Sequence, residues 1–185
     1  MAYTRMFFPG GNTCNGFHSF YQYVVPPDAT RLFIFKGGPG VGKSTFMKKL
    51  SEDFSSYSLE LHWCSSDPNS LDAVVLADYT IAVMDGTAPH IVDPRYPGVV
   101  DEIINLGEFW EESKLVKNRA KIIELTRMYQ AYFRLAYLRL QEAGAVWNEI
   151  TEYFRDSVPD AVLRGLTGTL KREVLAAGIQ PAGGK

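Results

Sequence analysis

The stretch Arg31–Leu50, RLFIFKGGPGVGKSTFMKKL, constrains this chain more than any other. Leu32, Phe33, Ile34 and Phe35 form an apolar run of strand length, and such a run beside turn residues reads as a buried parallel strand. Gly37-Gly38-Pro39-Gly40-Val41-Gly42-Lys43-Ser44 follows at once and matches G-x-x-x-x-G-K-[ST] in full. Phe46, Met47 and Leu50 then recur at helical spacing. Strand, glycine-rich turn and helix form the context in which this motif has its physical meaning.

The residue types suit a polyphosphate. Glycines let successive N–H groups point inward with no Cβ to block phosphate oxygens. A helix opening near Gly42 adds unpaired N–H groups and the positive end of its dipole. On this reading Gly37 to Thr45 bind a nucleoside triphosphate. Lys43 reaches the β- and γ-phosphates, Ser44 ligates Mg²⁺ through its hydroxyl, and Thr45 touches the α-phosphate. The alternative is a plain turn between a strand and a helix, and the complete motif argues against it.

Net charge narrows the partners. Lys+Arg 19 against Asp+Glu 21 leaves −2, so the basic footprint of a nucleic-acid binder is lacking. Two cysteines at no metal-like spacing, and no signal peptide, lead to the expectation of a reducing cytoplasm. No apolar run approaches the length of a membrane span.

Before the motif, Met6-Phe7-Phe8 reads as a short strand, Asn15-Gly16 as a turn, and Phe17, Phe20, Tyr21 and Val24 as a short amphipathic helix. That segment is expected to lie over an edge of the sheet, with base contact by Phe17 or Tyr21 as the alternative. After the motif, Leu59–Cys64 reads as a second strand running into Ser65-Ser66-Asp67-Pro68. Ligands of open α/β sheets lie outside the carboxyl ends of strands. Asp67 is therefore either a holder of a metal-bound water or of an attacking nucleophile, or a turn and helix-capping residue. A zinc site from His62, Cys64, His90 and Cys14 has no recognisable spacing.

Tyr79–Asp85 is the third expected strand, an apolar run ending in a carboxylate. Asp85 is placed to hold Mg²⁺ beside Ser44. In the following Asp85-Gly86-Thr87-Ala88-Pro89-His90, Thr87 and His90 are candidates to sense the γ-phosphate, with Gly86 as a hinge. Arg95 is the nearest candidate to neutralise transition-state charge, or a solvated loop arginine.

From Glu108 onward the spacing is helical, with Arg119, Arg127, Arg134 and Arg139 beside a stripe of aromatic and aliphatic residues. Pro159-Asp160 opens a last helix running to about Ala177. The organisation expected is a nucleotide-binding core at 1–108, a helical extension packed on it at 109–178, and a flexible tail at 179–185. The fold class expected is an α/β P-loop NTPase core with a mostly parallel sheet. No strand is evident after Asp85 except Ile103-Ile104, so either that pair and Met6–Phe8 supply the edges or another chain or domain completes the sheet.

FPGGNTCNGFHSFYQYV, FKGGPGVGKSTFMKKL, CSSDPNSLD and MDGTAPHIVDPRYPGVVDEIINLGEFW together resemble the N-terminal half of a bacterial family of tandem P-loop ATPases, also described as predicted nucleotide kinases. The resemblance implies nucleotide binding at Gly37–Thr45, Mg²⁺ at Ser44 and Asp85, and candidate roles for Asp67, His90 and Glu102. It also implies a second P-loop half as partner, and a homo-oligomer is the other way in which the sheet is expected to be completed. Trp63 and Ala73 stand where His and Gly are expected.

The function expected is Mg-dependent hydrolysis of a triphosphate, with ATP as the nucleotide. Lys43 would act catalytically, and Asp67, His90 or Glu102 would orient water. A small-molecule or nucleotide kinase with an arginine-bearing helical lid is the alternative, and a nucleotide-dependent binding module with little turnover is the second.

Overall fold

The fold is described from a computed structural model covering residues 2–88, 91–155 and 157–177. Among the described residues eight strands form: β1 (Thr4–Phe7), β2 (Gly10–Thr13), β3 (Gly16–Ser19), β4 (Arg31–Lys36), β5 (Leu59–Trp63), β6 (Leu71–Leu76), β7 (Ile81–Asp85) and β8 (Asp101–Asn105). The helices are α1 (Lys43–Asp53), α2 (Glu112–Lys117), α3 (Arg119–Phe154) and α4 (Asp160–Ala176). Contacts divide the chain into two compact units, one ending at Leu138 and one beginning at Arg139. The first holds all the strands. The second holds the remainder of α3 and α4, whose side chains are mostly exposed.

Six strands make one sheet in the order β1-β5-β6-β7-β4-β8, and β2 and β3 make a separate hairpin. The expected P-loop NTPase core with a mostly parallel sheet is not what forms. β4 is parallel to β7 and β8, and β1 to β5, but β6 runs antiparallel to both neighbours. The cause is local. Asp67 accepts from the Asn69 amide at 3.2 Å and the Ser70 hydroxyl at 2.6 Å. Ser70 N donates to Asp67 O at 2.8 Å and Cys64 N to Ser70 O at 2.9 Å. This turn reverses the chain within a few residues, which suffices for an antiparallel pair, whereas a parallel one needs a long crossover. At the far end of β6 a 3₁₀ turn at Ala77–Tyr79, with Thr80 left-handed at φ 51°, reverses it again. Leu71–Leu76, buried throughout, is a strand that the sequence reading did not identify.

Both edges of the sheet come from this chain, β1 on one side and β8 on the other. The amphipathic helix expected at Phe17–Val24 is instead β3 followed by a single 3₁₀ turn. Thr13 pairs with Gly16, and the Thr13 hydroxyl accepts from Asn15 N and donates to Gly16 O, so the turn chemistry at Asn15-Gly16 closes a hairpin. Tyr21, Val24, Val25 and Ala29 then pack on one face of the sheet against Leu32, Ile34, Ala82 and Met84. Met47 of α1 covers the other face with Phe35, Leu61, Val74 and Val83. With both faces covered, β4 carries apolar residues on each side, and its carboxyl end delivers the glycine-rich turn to the sheet's rim.

Candidate functional site

Every residue from 37 to 45 lines a single cavity of ≈ 910 Å³. Gly40 and Gly42 sit at φ 80° and 93°, where a Cβ is strained, and Gly42 caps α1 from that conformation. The turn can therefore fold back over the start of α1 and aim its amides inward. Trp110 backs the loop, since a Cβ on Gly38 would meet its Cζ2 at 3.2 Å.

Lys43 is only 9% exposed. Its Nζ donates to Gly37 O at 2.6 Å and Gly38 O at 3.1 Å, and lies 3.5 Å from Asp85 Oδ2. Asp85 Oδ1 accepts from the Thr87 amide at 2.9 Å and from the Thr87 hydroxyl. Ser44 Oγ accepts from Leu71 N at 3.0 Å, which ties the helix start to β6. Lys43, Ser44, Thr45, Asp85 and Thr87 thus share one cavity. The donor set offered to a cation is one hydroxyl and one carboxylate, hard oxygens of the kind Mg²⁺ prefers. Among the described residues no group of three or more His, Cys, Asp or Glu side chains is arranged to hold a metal. A magnesium ion would therefore take most of its oxygens from phosphate and water, which is its usual habit.

The other candidates fare differently. Asp67 lines the cavity, and both its oxygens serve the turn; the Ser70 hydroxyl first, then the Asn69 amide, hold its carboxyl below the usual range. Glu102 is not brought to the site. It pairs with Phe33 near the amino end of β8 and lies 3.5 Å from Arg31, at the end of β4 remote from the loop. His90 lies outside the described residues. Arg95 is spent on loop structure, its guanidinium donating to Gln22 O at 3.4 Å. Gly86 has no room for a side chain: a Cβ there would meet Ile34 Cγ2 at 2.4 Å and Val92 O at 2.9 Å. Lys36 fixes the same loop by donating to Gly86 O, Val92 O and Asp93 Oδ1. His62 is buried, with neither ring nitrogen hydrogen-bonded among the described residues and Phe7 stacked on it at 5.3 Å.

Three features of the site escaped the sequence reading. Asp72 is 4% exposed yet lines the cavity, and its Oδ2 accepts from the Tyr21 hydroxyl. His62 pairs with Ala73 while Trp63 pairs with Leu71, so Asp72 is the extra residue of a β-bulge, a device that re-aims a side chain. The β6–β7 register, Ala73 with Met84, makes Asp72 and Asp85 the next residues along adjacent strands. Burial first, then the bond to Asp72, pushes the Tyr21 phenol far up, so it stays a donor. Second, Tyr129 and Phe133 of α3 line the cavity with Phe17, their own rings 4.6 Å apart. The Tyr137 hydroxyl donates to Asn12 Oδ1 at 2.6 Å, and Asn12 Nδ2 to Ser66 Oγ at 3.2 Å, fixing this stretch of α3 to the hairpin and the Ser66 loop. Third, burial pushes the Cys64 thiol up, so it stays protonated at neutral pH and is a poor nucleophile. The signal for Asp72 was present, a carboxylate opening the apolar run Ala73–Leu76.

Among the described residues no helix is long and apolar enough to cross a membrane. No protein-family model, curated protein or solved structure compared with the chain gives a significant match.

Proposed function

We propose that this chain binds a nucleoside triphosphate, ATP foremost, with Mg²⁺ and cleaves it between the β- and γ-phosphates. The observation that carries the reading is Lys43: an almost buried ammonium held by two loop carbonyls, 3.5 Å from Asp85, in a cavity lined by every residue from 37 to 45. A buried cation in a glycine-rich cavity, matched by one carboxylate and two loop carbonyls, suits a multiply charged anion. Phosphate oxygens replace the Gly37 and Gly38 carbonyls as its partners.

Phosphoryl transfer needs positioning and charge neutralisation more than covalent help. The loop amides and Lys43 meet the charge that grows on the bridging and γ-oxygens. Ser44 and Asp85 would hold Mg²⁺, which would supply further neutralisation of the phosphate charge. Thr87 fixes the rotamer of Asp85 through two hydrogen bonds to one oxygen. Water attacks the γ-phosphorus, and the bond to the bridging oxygen breaks. The two free thiols, Cys14 and Cys64, suit a reducing compartment, and the cytoplasm is the location proposed.

Phosphate release from ATP in the presence of Mg²⁺ tests this. It is expected in the intact chain and lost in Lys43→Ala. Release that persists in Lys43→Ala would place the activity elsewhere.

A further inference from the structure

The cavity extends well beyond the cradle, and its far wall has a different chemistry. Resting on the triphosphate reading, we propose that it also takes an uncharged alcohol with a planar ring, of nucleoside type, and that Asp72 accepts the proton of the attacking hydroxyl.

Strand order gives the direction. Lys43 follows β4 and meets Asp85 at the tip of β7; Asp72, the second residue of β6, lies on the next strand, and Cys64 follows β5 beyond. The phosphate end touched by Lys43 therefore points along the strand tips toward Asp72. From β4 to β5 is three strand spacings, about 14 Å, room for a second small molecule next to the γ-phosphate. Tyr137, one turn beyond Phe133 on α3, is tied through Asn12 to Ser66, and Tyr129, Phe133, Cys64, Ser65 and Ser66 all line the cavity, so the aromatic wall stands at that far end. Phe17, Tyr129 and Phe133 offer ring faces, and Ser65, Ser66 and Ser70 offer hydroxyls at the same end.

Charge decides the class. Among the described residues lining the cavity the cations are Lys43, at the start of α1, and Lys48, in its middle and close enough to Asp67 to act on that carboxyl. Arg119, Arg127, Arg134 and Arg139 are not among them. At the serine end Lys48 is opposed by Asp67 and Asp72, so an acceptor that itself carried phosphate would meet no net positive charge there, and the fit is to the uncharged compound. Asp72 has what a general base needs, a carboxylate held in place by Tyr21 and by the bulge, facing the cavity. The acceptor oxygen forms a bond to the γ-phosphorus. The bond from that phosphorus to the bridging oxygen breaks, its electron pair leaves with the nucleoside diphosphate, and the hydroxyl proton passes to Asp72.

The test is transfer of label from γ-³²P-ATP with Mg²⁺ to adenosine, guanosine, cytidine, uridine or thymidine, with ATP binding followed separately by calorimetry. The expected result is a labelled monophosphate of at least one of them. Asp72→Asn should lower the transfer rate by about 100-fold or more with ATP affinity within about threefold, which also reports folding. Tyr129→Ala should raise the acceptor KM about tenfold and leave kcat nearly unchanged. ATP binding with no nucleoside labelled above the Lys43→Ala blank would overturn the acceptor and leave the triphosphate reading standing. Transfer unimpaired in Asp72→Asn would overturn the role given to that carboxylate. Absence of ATP binding would overturn both readings, and calorimetry separates that case from the others.

Discussion

Lys43 has no neutral substitute where it lies. Its contacts are two carbonyls and a carboxylate at 9% exposure, and a charge-assisted hydrogen bond is worth about 1.5–3 kcal/mol. Lys43→Ala is expected to weaken ATP binding by about 10- to 100-fold or more, read by calorimetry. Asp85→Asn keeps the bonds from Thr87 but halves the metal's protein ligands, so its defect should be largest at low magnesium and shrink as magnesium rises. Gly86→Ala belongs to another class. Its methyl would lie 2.4 Å from Ile34 Cγ2 and 2.9 Å from Val92 O, and overpacking of this kind costs about 1–3 kcal/mol, measurable as a lower urea midpoint. At this scale Lys43, Ser44 and Asp85 were legible, because their placement follows from one contiguous motif and one neighbouring strand. Asp72 was not, because a bulge between β5 and β6 aims it. Glu102 misled because its distance from the loop depends on which end of β8 it occupies.

At the scale of elements, β6 is where sequence and structure part. LDAVVL has the length and branching of a strand, but the Asp-Pro before it reads equally as a helix start, and the turn around Asp67 decides between them. β4, α1, β5 and β7 were legible from apolar runs and punctuation. The last helix was also legible, its start marked by Pro159-Asp160. Met47 of α1 is fully buried against the sheet, and Met47→Ala should cost about 2–5 kcal/mol. His62 makes β5 sensitive to pH. Burial lowers its pKa below the ordinary 6.5 in the folded state, against the smaller opposing pull of Glu60, which is 3.7 Å away. Just below 6.5 the unfolded chain therefore binds more protons than the folded one, so stability falls as pH drops through that value. The urea midpoint should decline from pH 7 to pH 5.5, and His62→Phe should flatten that part of the profile.

For the whole molecule, the sheet unit holds the cavity, its glycine-rich floor and its aromatic wall, so a ligand that binds there stabilises that unit by mass action. At a hundredfold excess over Kd the gain is about 2.7 kcal/mol, or roughly 5–10 °C for a domain of this size. Trp110 against Gly38 should report the same event as a change in intrinsic fluorescence that Trp110→Phe removes. The most direct measurement is a calorimetric titration of the intact chain and of Lys43→Ala with ATP at saturating magnesium. Near-stoichiometric binding by the first, with the affinity of the second lower by about 10-fold or more, is the result expected. No heat from the intact chain, or equal heat from both, would contradict a phosphate cradle at residues 37–45.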